Sequence, residues 1–121
     1  MIKVPEDAIE LRSLELVWAE RLRQKEEEGY TLAHDDQHTG GQLALLAAAY
    51  ALSSRDSTAP IAYEVASFLG ESVFKWGFNP KSPIQDLTRA GALILAELER
   101  RLRAENFVSV TTKEDLDREG A

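Results

Sequence analysis

The sequence contains no cysteine, which excludes disulfide bonds, thiolate metal sites and cysteine nucleophiles. It also has only 2 histidines and 7% aromatic residues, so the positions of these few side chains are informative. Positive charge is in deficit, with 14 Lys and Arg against 21 Asp and Glu and a formal net charge of −7. Proteins that coat nucleic acid or an anionic membrane need a basic surface, so this balance argues against both classes.

Long apolar runs are missing as well. The longest, 43–52, has ten residues and is too short to span a bilayer. The first ten residues lack the apolar centre of a signal peptide. We therefore expect a cytoplasmic protein with one helical domain over residues 1–105 and a C-terminal tail over residues 106–121.

Helical periodicity dominates the chain. A first helix is predicted from about Glu6 to Glu28, opened by Pro5. One stripe of this helix carries Leu11, Leu14, Trp18 and Leu22. The segment Gln42–Leu52 is apolar on nearly all sides, which predicts a central buried helix, and Thr39 and Gln42 have the spacing of a capping box. Tyr30–His38 has no clear period and is predicted to be an ordered loop.

A shorter helix is predicted from Pro60, and a final long helix begins after Ser82. Pro83 suits its first position, and Gln85 completes a capping box with Ser82. Its apolar residues are predicted to form the buried stripe: Ile84, Leu87, Gly91, Ile94, Leu98 and Leu102. The fold is thus predicted to be all-α, with three or four helices around the central one, a long loop and a short tail. An exposed stripe on the long helices would also make the protein a homo-oligomer.

Both histidines fall within the segment His34-Asp35-Asp36-Gln37-His38. Two interpretations of this segment compete. The aspartates accept hydrogen bonds from loop and helix N–H groups and have a structural role, or the segment forms the wall of a ligand pocket beside Tyr30. A divalent metal is a third, weaker interpretation.

Aromatic side chains can stack on a flat ring such as a nucleobase, and Lys and Arg bind phosphate groups. Lys81 and Arg89 stand near the start of the last helix and are the preferred phosphate contacts. The predicted ligand-binding residues are Trp18, Tyr30, His34, Asp35, Asp36, His38, Trp76, Lys81 and Arg89. We predict no catalytic residue, no metal site and no cofactor.

Two motifs together resemble a family of small proteins of bacteriophages and prophages. One runs from Gly29-Tyr30-Thr31 through the histidine segment to Gly41-x-Leu43, and the other is DLTRAGALILAELER, residues 86–100. The chain departs from that family at Tyr30, where tryptophan is frequent, and in its tail. The first half is also similar to the ryanodine-receptor (RyR) repeat, through Leu16-x-Trp18, Gly29-Tyr30, Asp35-Asp36 and His38. The RyR resemblance implies a non-enzymatic module that binds a ligand or a partner.

We therefore expect a small phage-type binding protein in the host cytoplasm. It would bind, and sequester, a nucleotide-like small molecule or signal, or bind a host protein. The alternative is a MazG-like all-α nucleotide pyrophosphohydrolase, which would need several carboxylates around Mg²⁺. The sequence offers for that purpose only a non-standard set: Asp35, Asp36, Asp86 and Glu97. An HD-type phosphohydrolase would need a further histidine upstream of His34, and the sequence has none.

Overall fold

The structure, a computed structural model, describes residues 2–56, 60–69 and 77–105. These ranges form five helices and no strand, which confirms the all-α prediction. The helices are α1 (Ala8–Glu27), α2 (Leu32–Gln37), α3 (Gln42–Ser53), α4 (Pro60–Ser67) and α5 (Pro83–Ala104). Trp76 and the predicted tail, 106–121, lie outside the described residues. Within them, no helix has the length and apolar character that a membrane span requires.

The centre of the bundle is α3, as predicted. It packs against α5 and α4, while α1 and α2 pack against α5. Leu43, Leu46 and Leu93 are almost completely buried and fill the space between α3 and α5. Most of the other buried apolar residues are alanines, so the helices lie close together and the core is thin.

The starts of α1, α3, α4 and α5 are confirmed to within two residues, but one predicted cap is wrong. α1 begins at Ala8 instead of Glu6, because the Asp7 carboxylate accepts hydrogen bonds from the N–H groups of residues 9 and 10. The capping box predicted at Thr39 does not form: the N-cap of α3 is Gly41, whose φ of 82° is left-handed and favours glycine. Ser82 does cap α5, and its hydroxyl accepts from the N–H of Gln85 at 3.2 Å.

The predicted loop before α3 contains a short helix, so the prediction is wrong for residues 32–37. Thr31 caps this helix, with its hydroxyl accepting from the N–H of His34 at 3.2 Å. A helix of 6 residues is too short to display a helical period, and its one buried residue, Asp35, is polar. For both reasons, the apolar periodicity of the sequence does not indicate this helix.

The apolar stripe predicted to be buried on α5 faces outward, so this prediction is also wrong. Its five large side chains are at least 36% exposed: Ile84, Leu87, Ile94, Leu98 and Leu102. Only Gly91 is covered, and a Cβ at this position would lie 3.0 Å from a γ carbon of Val17 on α1. The stripe of α1 is likewise exposed. The buried face of α5 is instead alanine-rich and polar: Asp86, Ala90, Ala92, Leu93, Ala96, Glu97 and Arg100.

Candidate functional site

A buried ion pair anchors the histidine segment. Arg21 of α1 and Asp35 of α2 are both completely buried, with Nη2 and Oδ2 2.9 Å apart. Nε of Arg21 also donates to Glu99 of α5 at 2.9 Å. Arg21 thus connects three helices, and Asp35 is occupied inside the protein rather than presented to a ligand.

Three rings lie in a row beside this ion pair, and two of them are stacked. The ring centroids of Tyr30 and His34 lie 4.6 Å apart with planes 11° from parallel, and His34 and His38 are also 4.6 Å apart. Nδ1 of His34 lies 2.9 Å from Oδ1 of Asp35. Burial, and then the charge of His34, lower the pKa of His38 below its usual value. Burial raises the pKa of Tyr30 above its usual range, so Tyr30 and His38 are uncharged at neutral pH.

The acidic residues considered for a metal site do not converge. Asp36 is exposed and pairs with Arg103 of α5 at 2.8 Å. Glu97 pairs with Arg100, and Asp86 accepts from Ser53 at 3.0 Å. Across residues 2–56, 60–69 and 77–105, no three histidine, aspartate or glutamate side chains are grouped so that they could hold a metal ion.

Lys81 and Arg89 lie in the same cleft, which we call the α1–α5 cleft. It has a volume of about 320 Å³, at the lower end of the range of small-molecule sites, roughly 300–1,000 Å³. Its walls are formed by Leu16, Glu20 and Arg23 of α1, by Lys81, and by Ile84, Gln85, Thr88 and Arg89 of α5. The two cations predicted to contact phosphate therefore face one space, together with a third, Arg23.

Of the three cations in this cleft, only Arg23 pairs with a carboxylate of the described residues. Glu20 is its one described carboxylate, and both oxygens accept from Arg23 at 2.7 Å. Arg23 also donates to Glu28 at 2.8 Å, and these acidic partners raise the pKa of Arg23 above its usual range. Among the described residues, neither Lys81 nor Arg89 pairs with a carboxylate. Two cations are thus left to interact with an anion.

The start of α5 is held in place by a buried carboxylate. Asp86 is completely buried; its Oδ1 accepts from the backbone N–H of Lys81 at 2.8 Å and its Oδ2 accepts from Ser53 of α3. Arg89 is fixed as well, because Nη1 donates to the carbonyl of Asn79 at 3.0 Å and its guanidinium lies 5.5 Å from the ring of Tyr50. Both cations therefore extend from a backbone that is fixed before any ligand arrives.

A smaller recess adjoins the cleft, and Arg23 and Arg89 line both. Its volume of about 10 Å³ corresponds to a single water molecule. Gln24, which is 2% exposed, lines the recess and donates through Nε2 to Glu20 at 3.2 Å. Its Oε1 finds no donor among the described residues. The recess therefore contains a buried acceptor that lacks a hydrogen bond.

The predicted ligand residues separate into two groups. Tyr30 lines the recess, and Lys81 and Arg89 line the cleft. The histidine segment belongs to α2 instead, with Asp35 buried and Asp36 paired. Trp18 is half-exposed on α1, with Nζ of Lys25 5.6 Å from the centroid of its ring.

Sequence reasoning missed Gln24 and Tyr50 as parts of this site. Gln24 lies in a charged stretch of α1, and no pattern in the sequence indicates that it lines a binding site. Tyr50 is the one hydroxyl-bearing aromatic side chain of the apolar helix α3, and a buried tyrosine hydroxyl usually finds a partner. That hydroxyl donates to the carbonyl of Gly77 and accepts from the N–H of Asn79, each at 3.1 Å.

Comparison with known proteins adds no relative from which a role could be transferred. No family model, no curated protein and no solved structure matches the chain. The resemblances to small phage proteins and to the RyR repeat therefore stay predictions, and the function rests on the geometry of the site.

Proposed function

We propose that this is a non-enzymatic protein of phage type that binds a phosphate-bearing small molecule of the nucleotide class in the α1–α5 cleft and so sequesters it in the host cytoplasm. One observation carries the proposal. Lys81 and Arg89 face the cleft with no carboxylate partner among the described residues, in a chain whose net charge is −7. Hydrogen bonds between such cations and phosphate oxygens are short and strong, and a guanidinium can donate two in parallel.

The recess favours a nucleotide over a bare phosphate ion. Oε1 of Gln24 is a buried acceptor without a donor, and leaving such a group unpaired costs about 1–3 kcal/mol. An amino group or ring N–H of a nucleobase supplies the missing donor, directly or through one water molecule. The proposed ligand therefore has phosphate oxygens at Lys81 and Arg89 and a hydrogen-bond donor directed towards Gln24.

The test of this proposal is the removal of one cation. Lys81→Ala is expected to weaken the binding of nucleotides at least about 10-fold, because a charge-assisted hydrogen bond is lost. The measurement is isothermal titration calorimetry with a panel of nucleoside mono-, di- and triphosphates. Added salt should weaken wild-type binding as well, since exposed charges are screened.

Lys25→Ala is the matched control. Lys25 is also a lysine at the surface, but it interacts with Trp18 and Glu99 rather than with the cleft. Equal losses of affinity in both variants would contradict the proposal, since the effect would then reflect overall charge. Wild-type protein that binds no nucleotide in the panel would contradict it directly.

The MazG-like alternative is tested by turnover. Phosphate hydrolysis with metal ions needs several carboxylates around the metal, and the carboxylate of Glu20 in the cleft is taken by Arg23. We expect nucleoside triphosphates to be recovered intact after incubation with Mg²⁺ or Mn²⁺. Metal-dependent release of pyrophosphate that disappears in Asp36→Asn would favour the enzyme.

A further inference from the structure

The described residues bury few of their large apolar side chains. Six are buried, and sixteen are at least 36% exposed. Burial of apolar surface is the main favourable term in folding and in association. An apolar surface of this extent is typical of an interaction site rather than of a monomer's free surface.

Seven of these sixteen side chains lie on the side of α1 and α5 that faces away from the α1–α5 cleft. Successive residues rotate by about 100° around an α-helix, and α1 meets α5 where Val17 contacts Gly91. On both helices, the residues that line the cleft lie to one side of this contact. The exposed apolar residues lie to the other side. We call the latter the apolar face: Leu11, Leu14, Trp18 and Leu22 of α1, and Leu87, Ile94 and Leu98 of α5.

The apolar face continues onto α3 and contains both a ridge and a groove. Ile94 and Leu98 stand at least half-exposed as the ridge. Beside them runs a groove of about 370 Å³ whose other wall consists of alanines: Ala44, Ala47, Ala48 and Ala51. A surface that carries a ridge next to a groove of small residues can pair with a copy of itself about a two-fold axis.

We propose that the apolar face is the interface of a two-fold homodimer, in which Ile94 and Leu98 of each copy enter the alanine groove of the other. The spacing of 84, 87, 91, 94 and 98 alternates between three and four residues, as in the seams of paired helices.

The available area suits a second copy. The apolar face has seven exposed large apolar side chains. At roughly 80 Å² of apolar surface each, they offer roughly 560 Å² per copy, and the alanine wall of the groove brings this towards the roughly 800 Å² that each partner contributes to an interface of standard size.

The charged residues at the groove pair with one another, and this favours an apolar partner over a charged one. Glu97 is held by Arg100 at 2.5 Å and lies 3.5 Å from Arg101, so the groove's charges are paired within α5. Glu97 is the one carboxylate that lines the groove, and it keeps its ion pairs with Arg100 and Arg101 when a second copy covers it. Dimerisation therefore avoids the cost of burying an unpaired charge.

The test is the oligomeric state of the full chain and of two charge variants by sedimentation velocity and light scattering. Wild type is expected at twice 13.5 kDa. Ile94→Glu places two carboxylates in the seam and should weaken dimerisation at least about 100-fold. Ala104→Glu adds the same charge to an exposed position of α5 outside the stripe and should remain dimeric. Circular dichroism checks that both variants keep their helical content.

Three outcomes would overturn the dimer. Wild type that remains a monomer up to about 100 μM would show that no second copy covers the face at affinities typical of standard interfaces. An oligomer that persists in Ile94→Glu would place the interface elsewhere. Equal dissociation of Ile94→Glu and Ala104→Glu would mean that net charge, not the apolar face, controls association. Neither Ile94 nor Ala104 lines the cleft, so these results do not depend on ligand binding there.

Discussion

Replacing Arg21 with methionine is expected to lower the free energy of unfolding by about 3–5 kcal/mol, the range for breaking a buried ion pair by removing one partner. Methionine keeps the apolar stem but leaves the completely buried carboxylate of Asp35 without its guanidinium partner, with only the ring of His34 beside it. Glu99 loses the same partner. Because the total stability of a small domain is about 5–15 kcal/mol, the loss should be obvious in urea denaturation.

Arg23→Met is the control on the same helix. Arg23 pairs with Glu20 and Glu28 near the surface, where an ion pair contributes only about 0–1 kcal/mol. The double variant Arg21→Met with Asp35→Leu should regain much of the stability, since no buried charge is then left unpaired at that point. Equal losses for Arg21→Met and Arg23→Met would show that Arg21 and Asp35 are not the buried anchor of α2.

Asp86→Ala is expected to lower the free energy of unfolding by about 1–3 kcal/mol, because the backbone N–H of Lys81 loses its acceptor. The hydroxyl of Ser53 also loses Asp86, but it keeps the carbonyl of Tyr50, 2.8 Å away, as an acceptor. The variant should also lose nucleotide affinity where it is still folded, since Lys81 is no longer held at the cleft. Urea denaturation and calorimetry on the same preparation measure the two effects.

Asp36→Ala separates this result from a general effect of removing a carboxylate. Asp36 is exposed, and its pair with Arg103 should contribute no more than about 1 kcal/mol. An Asp86→Ala chain that is less stable but binds nucleotides as wild type does would contradict the role of Lys81. An Asp86→Ala chain of unchanged stability would contradict the hydrogen bonds that hold the start of α5.

The four longer helices could be predicted from the sequence, but the burial of their apolar faces could not. The periodic pattern of α5 correctly indicated one apolar face, and Ser82 correctly indicated where the helix starts. The pattern does not show whether the rest of the bundle packs on that face. In this chain, α3 packs on the alanine-rich and polar side of α5, and the leucine and isoleucine side stays exposed. Periodicity therefore located the apolar face correctly, but the prediction that the bundle itself buries that face is wrong.

The candidate site could be predicted only in part, for a similar reason. Lys81 and Arg89 were recognisable because they flank a capped helix start. Their isolation from carboxylates depends on Asp86 turning inward to Ser53, a contact across 33 residues of sequence. The histidine segment drew attention by its composition, yet Asp35 is directed inward to Arg21. Contacts between charged and polar residues that are far apart in the sequence determine which side chains are available to bind a ligand. A single sequence does not show these contacts.

The central claim is that the α1–α5 cleft binds a phosphate-bearing ligand, and amide chemical shifts test it most directly. The measurement is a titration of ¹⁵N-labelled protein with ATP, ADP, GTP and inorganic phosphate in turn. We predict that the largest shifts occur at Arg23, Lys81, Gln85 and Arg89, and that at least one nucleotide binds more tightly than inorganic phosphate. Largest shifts over residues 32–38 with none at 81–89, or no saturable shift with any of the four, would contradict the claim.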